Sequence, residues 1–148
     1  MYACRRSKEF GLTEDHVLDG VLWVTPFAII CVGALKKNGG AFGSYMILSA
    51  LPGSQGLYGF VGYFMVSGLI SAEMSMLAAV GIFGAGLLMA IVCLASALFQ
   101  SKVCANGIAA IGNGNDVMGK TLILAAFPEL YAILGVAATF LISSAIAY

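Results

Sequence analysis

Glu129 stands alone. From Thr121 to Tyr148 the chain has no other Asp, Glu, Lys, Arg or His. Its neighbours are those of a membrane-crossing helix, where a charge costs at least about 2.5 kcal/mol on insertion scales. An acid at such depth therefore has a function by default. A carboxylate has two usable states: neutral or ion-paired where it faces lipid, ionised where it meets water. That chemistry suits reversible carriage of a proton or a cation. The alternative is a glutamate held protonated, or bonded to a neighbouring helix only to fix packing.

Other chemistry-bearing residues are spread along the apolar stretches. Leu51-Pro52-Gly53-Ser54-Gln55-Gly56-Leu57-Tyr58-Gly59 places a hydroxyl, an amide and a phenol in one apolar span, and Gln100 adds a second amide. An unpartnered amide in hydrocarbon is costly, so each must bond or coordinate something. Helix-to-helix hydrogen bonding would also satisfy them. Pro128 precedes Glu129, and Pro52 sits in the earlier span. Each proline removes a backbone donor, freeing the carbonyls of Leu124 and Leu48 and predicting bends there. Such carbonyls can coordinate a cation, although a kink without function reads equally well. Gly53, Gly56, Gly59 and Gly62 recur every three residues, with Gly81, Gly84 and Gly86 in the next span; small residues permit close helix contact. Cys4, Cys31, Cys93 and Cys104 have no metal-ligand spacing and read as small packing residues. His16, in a charged stretch, reads as solvated.

The elements that must position these groups follow from composition. The 148 residues are 61% hydrophobic and 9% charged, and the mean hydropathy is +0.99. A water-solvated surface cannot be built from so few charges, so the bilayer is the solvent. No basic stripe suits nucleic acid. There are too few polar side chains for a solvated catalytic cleft, and no nucleophile–base pair, metal cluster or phosphate loop is visible. The protein is expected not to be an enzyme by itself. Uncharged runs cover 41–72, 74–101 and, interrupted only by Glu129, 121–148. Each is long enough for a transmembrane helix of about 20 residues. Val21–Leu35 is a fourth, shorter candidate. Lys36-Lys37-Asn38-Gly39-Gly40, Ser71-Ala72-Glu73 and Gly112-Asn113-Gly114-Asn115-Asp116 read as connectors. The expectation is an all-α membrane protein of four transmembrane helices in two tandem hairpins: a charged leader at 1–20, a first hairpin at 21–72 and a second at 73–148.

Lys36, Lys37, Lys102 and Lys120 lie in or beside the first and third connectors, whereas the middle one carries only Glu73. The positive-inside rule then puts both hairpin tips in the cytoplasm and both termini outside. Arg5, Arg6 and Lys8 run against that assignment. No convincing signal peptide precedes the spans. The halves also repeat. A shift of 76 residues lays 41–60 on 117–136 without a gap, matching Pro52 to Pro128, Gly43 to Gly119 and Gly59 to Gly135. Glu129 then falls opposite Gly53, so a duplicated hairpin keeps one carboxylate.

LPGSQGLYGF at 51–60, FQSKV at 99–103 and LAAFPELYAILG at 124–135 together resemble the membrane rotor proteolipid of V-type ATPases, the c or K subunit, and most closely its prokaryotic form. The resemblance covers about residues 33–148. It implies a four-helix subunit in a homo-oligomeric ring in the cell membrane. Such a ring turns in lipid against an a- or I-type stator subunit, and central stalk subunits couple it to ATP turnover elsewhere. In sodium-transporting members the ion is held by a leucine carbonyl, a hydroxyl, two glutamines and the essential glutamate. Those places hold Leu51, Ser54, Gln55, Gln100 and Glu129 here, and Tyr58 falls where a tyrosine bonds the glutamate. The hydroxyl position is usually threonine, and serine keeps the oxygen.

The resemblance implies Na⁺ as the transported ion, with H⁺ as the alternative. A proton needs little beyond the acid, whereas a hard cation takes several oxygens at once. The front of the chain departs from the family: its first helix is glycine-rich, and Val21-Leu22-Trp23-Val24-Thr25-Pro26-Phe27 is bulky. Residues 1 to about 31 are read as foreign to the family sequence, through a frameshift or misplaced start, with a divergent first helix as the alternative. A small four-span structural or accessory membrane protein is the competing function. It has no need of converging oxygen ligands.

Overall fold

The computed structural model describes residues 24–71 and 74–146. The charged leader, His16, Cys4 and Glu73 lie outside the described residues. The described residues hold five α-helices and no strand: α1 (Val24–Leu35), α2 (Phe42–Ala50), α3 (Ser54–Ser67), α4 (Met76–Gly112) and α5 (Met118–Ile146). Short 3₁₀ turns fall at Gly39–Ala41 and Leu51–Gly53. α4 and α5, of 37 and 29 residues, are long and apolar enough to cross a membrane. At 1.5 Å per residue they run about 55 and 43 Å, beyond a hydrocarbon core of about 30 Å.

The two prolines act differently. Around Pro52 the chain tightens into the 3₁₀ turn, yet Ala50, Leu51, Gly53 and Ser54 keep right-handed helical backbone angles. The stretch 42–67 is therefore a single rod with one tightened turn. Pro128 lies inside α5, whose helix is continuous across it. Pro52 is followed by Gly53, a poor helix former, and Pro128 by Glu129 and Leu130, which are good ones.

Helix ends follow their capping residues. Ser75 caps α4, its hydroxyl accepting the Ala78 N–H at 3.2 Å. At the other end Gly114 adopts φ +89°. The Gly114 N–H bonds the Ile111 carbonyl at 2.9 Å and the Asn115 N–H the Ala110 carbonyl at 3.2 Å. Those paired bonds around a left-handed glycine form a Schellman motif, and they turn the chain into α5. Lys102 falls well inside α4, because residues 103–112, whose one polar side chain is Asn106, continue the apolar face that packs on α1 and α2. Val103, Cys104, Ala105, Ile108 and Ile111 join Ile30, Ala34, Tyr45 and Leu48 in one apolar cluster.

α4 packs against every other described helix. At Gly107 it comes so close to α5 that an added Cβ would lie 2.7 Å from the Thr121 hydroxyl. The first and third connectors meet at one end, where Lys37 Nζ donates to Asn113 Oδ1 at 3.0 Å. Asn38 Nδ2 donates there to the Ile111 carbonyl at 3.2 Å. Both hairpin tips therefore lie at the same end. The surface is apolar: Leu57, Phe64, Leu77, Phe83, Tyr131 and Leu134 are all exposed. Much of the interior is polar, with Gln55, Ser96, Gln100, Ser101, Thr121, Thr139 and Ser143 buried. A surface of this kind is solvated by lipid, and the protein is a membrane protein.

Candidate functional site

The buried polar groups form a layer between two apolar clusters. On one side lie Tyr45, Leu48, Cys104, Ile108 and Ala125. On the other lie Met89, Cys93 and Ala132 with Tyr58 against them. Glu129 is the eleventh residue beyond Met118, and Gln100 lies twelve before Gly112. Antiparallel pairing of α4 and α5 therefore brings the two side chains to one level, about 17 Å from the tips.

The carboxylate of Glu129 accepts from four side chains. Ser54 Oγ donates to Oε1 at 2.7 Å, and the Tyr58 hydroxyl donates to the same oxygen. Gln55 Nε2 donates to Oε2 at 3.3 Å, joined there by Gln100 Nε2. Ser54 Oγ also lies 2.8 Å from the Leu51 carbonyl. The residues that the sequence marks, Leu51, Ser54, Gln55, Tyr58, Gln100 and Glu129, thus converge on one point from α3, α4, α5 and the 3₁₀ turn.

The two amides are held by further partners. Gln100 Nε2 donates to the Ala125 carbonyl at 3.0 Å, and Gln100 Oε1 accepts from Gln55 Nε2 at 2.8 Å. Gln55 Nε2 also reaches Ser96 Oγ at 3.1 Å, and Ser96 Oγ donates to the Pro128 carbonyl at 2.7 Å. Ser96 is not among the residues that the sequence marks. One signal points to it: it lies one helical turn before Gln100, on the same face of α4. The carbonyls of Leu124 and Leu48, expected to be freed by the prolines, are not among these partners; those of Ala125 and Pro128 are.

Donors and acceptors are out of balance on one side of the cluster. Leu51 O, Ser54 Oγ and Glu129 Oε1 crowd around a single Ser54 hydroxyl hydrogen. Gln55 Oε1 is buried with no hydrogen-bond partner, although the residue is only 4% exposed. A buried acceptor left bare is costly, and a surplus of oxygen lone pairs is what a hard cation accepts. Among the described residues no group of three or more His, Cys, Asp or Glu could hold a metal ion. The donor set is one carboxylate with neutral oxygens, a set that one positive charge would neutralise. Gly53, Gly56 and Gly59 have open space beside them, while Gly62 faces Met89 and Thr139. Gly56 and Gly59 on α3, with Gly53 in the turn before it, leave an unfilled stripe on the outside of the protein.

The sequence matches the ATP synthase C-subunit family over residues 83–142. It is 41% identical over 101 residues to the V-type sodium ATPase subunit K of Enterococcus hirae, covering 68% of this chain and 65% of that protein. It is 32% identical over 103 residues to the A-type ATP synthase subunit K of Methanocaldococcus jannaschii, covering 70% of this chain and 44% of that one. The chain thus spans less than two thirds of the length of either relative. Its resemblance to the membrane rotor proteolipids of rotary ATPases is plain.

Proposed function

We propose that this chain is a rotor-ring subunit of a V-type ATPase or a related rotary ATP synthase, carrying one ion on Glu129. The observation that carries the reading is the single carboxylate gripped by Ser54, Gln55, Tyr58 and Gln100 within a membrane bundle. Four donors fill the acceptor sites of one carboxylate, and beside them one buried oxygen, Gln55 Oε1, is left for a ligand.

The ion is Na⁺ in this reading. The ligands are the Leu51 carbonyl, the Ser54 hydroxyl, the Gln55 and Gln100 side-chain oxygens and the Glu129 carboxylate, with Tyr58 steadying the acid. One negative charge against one Na⁺ leaves the loaded site neutral, so it can pass lipid without the cost of a buried charge. Copies assemble as a ring, with α2 and α3 together serving as one span and α1 completing four. The ring works against an a- or I-type stator and on central stalk subunits, and ATP is turned over by partners. The joined hairpin tips, bearing Lys36, Lys37 and Lys120, face the cytoplasm, with the termini outside.

The test is hydrophobic carbodiimide labelling in membranes, which should map to Glu129 and not to Glu73. Glu129→Gln should abolish ion transport while leaving the ring assembled; normal transport by that variant would sink the reading. Na⁺ at fixed pH should protect Glu129 from labelling, and Gln55→Ala and Gln100→Ala should weaken the protection. Labelling that follows pH but ignores sodium would mean a proton rotor.

A further inference from the structure

We infer that Ser96 is a positioning residue for the transported ion, fixing the Gln55 amide so that its carbonyl oxygen is the one left for the cation. The inference deepens the ion-carrier reading and rests on it.

Donors and acceptors decide how the amides lie. The Ala125 carbonyl can only accept, so the group that Gln100 turns towards it must be the NH₂, at 3.0 Å. Gln100 Oε1 therefore faces Gln55 as an acceptor. The Pro128 carbonyl likewise can only accept, so the Ser96 hydroxyl hydrogen is directed to it at 2.7 Å. That leaves Ser96 Oγ only lone pairs to offer to Gln55, 3.1 Å away. Two acceptors, Ser96 Oγ and Gln100 Oε1, thus meet the same end of Gln55, and that end must be the NH₂. Gln55 Oε1 is turned away from both and is the buried oxygen without a partner. Two main-chain carbonyls just before Glu129 on α5 therefore set both amides, Ala125 through Gln100 and Pro128 through Ser96. Ser96 is 3% exposed and touches the Gln55 amide and the Pro128 carbonyl, not the carboxylate.

Without the Ser96 hydroxyl, one of the three acceptors on the Gln55 NH₂, Ser96 Oγ, Gln100 Oε1 and Glu129 Oε2, is gone. The amide then tilts towards the remaining two, and its oxygen leaves the place where the cation needs it. The predicted signature is a loss of sodium affinity that a hydroxyl at position 96 restores.

The experiment uses the assembled protein in membranes and reads carbodiimide labelling of Glu129. Ser96→Ala should raise the half-protecting Na⁺ concentration about tenfold, the scale of one lost buried hydrogen bond. Ser96→Thr, which keeps the hydroxyl, should restore the sodium affinity. Should the alanine variant fail to accumulate, Ser96→Cys keeps the volume with a weaker partner and should be intermediate. Sodium protection at the unaltered concentration in Ser96→Ala or Ser96→Cys would overturn the inference. Failure of Ser96→Thr to restore the affinity would overturn it too, because the hydroxyl would then not be what holds the amide. Labelling of the unsubstituted protein that ignores sodium overturns the sodium reading itself, and is told apart by appearing before any substitution is made.

Discussion

Replacing Tyr58 with phenylalanine removes one oxygen and leaves the ring in place, since that ring packs against the Met89, Cys93 and Ala132 cluster. The lost hydroxyl donates to Glu129 Oε1, which then keeps only the Ser54 hydroxyl. Ser54 divides its one hydrogen between that oxygen and the Leu51 carbonyl 2.8 Å away, so it cannot make good the loss. A hydrogen bond to a charged group is worth about 1.5–3 kcal/mol, and the lower part of that range applies at a partly exposed site. At 1.4 kcal/mol per tenfold, a loss of about 1.5–2 kcal/mol raises the population of released carboxylate about 10- to 30-fold. A carbodiimide reacts with the released acid, so the initial labelling rate of Glu129 in sodium-free membranes should rise by that factor. Tyr63 and Tyr131 are 61% and 66% exposed and stand outside the site. Tyr63→Phe and Tyr131→Phe should leave the rate unchanged. An unaltered rate in Tyr58→Phe, or an equal rise in either control, would show that the phenol does not hold the acid.

Three further outcomes follow from the packing. Gly107→Ala should destabilise the α4–α5 contact by about 1–3 kcal/mol, seen as a lower unfolding midpoint in detergent, because its Cβ would meet the side chain of Thr121; Thr121→Ala should relieve part of that loss. Gly114→Ala should cost about 1–2 kcal/mol in the same measurement, since φ +89° is unfavourable for any residue with a Cβ. Gly56→Leu has open space within one chain, so it should leave the monomer fold intact by circular dichroism yet prevent the protein from running as a large ring in mild detergent.

Much of this protein was legible in its residues, for a physical reason. In hydrocarbon, polarity is so costly that each exception to apolarity marks itself, and Glu129, Gln55, Gln100, Ser54 and Tyr58 could be picked out one by one. Apolar run length likewise predicted α4 and α5, and Asn113-Gly114 predicted the turn between them. The helix ends were less legible. Lys102 looked like the border of a span, yet α4 runs on to Gly112 because Cys104, Ile108 and Ile111 find a partner surface on α1 and α2. Pro52 and Pro128 looked equivalent in the repeat, and only the fold separated a 3₁₀ turn from an unbroken helix.

What the sequence alone determined, then, was which side chains had to be satisfied and roughly which helices carried them. Who satisfies them was decided by tertiary structure. Ser96 is an ordinary serine in an apolar helix until α5 brings the Pro128 carbonyl within 2.7 Å and α3 brings the Gln55 amide within 3.1 Å. The partners of both amides include backbone carbonyls, which every residue has and no sequence pattern distinguishes. The bare oxygen of Gln55 is likewise a property of the assembled cluster: it exists because α4 and α5 direct three acceptors to the other end of an amide carried by α3.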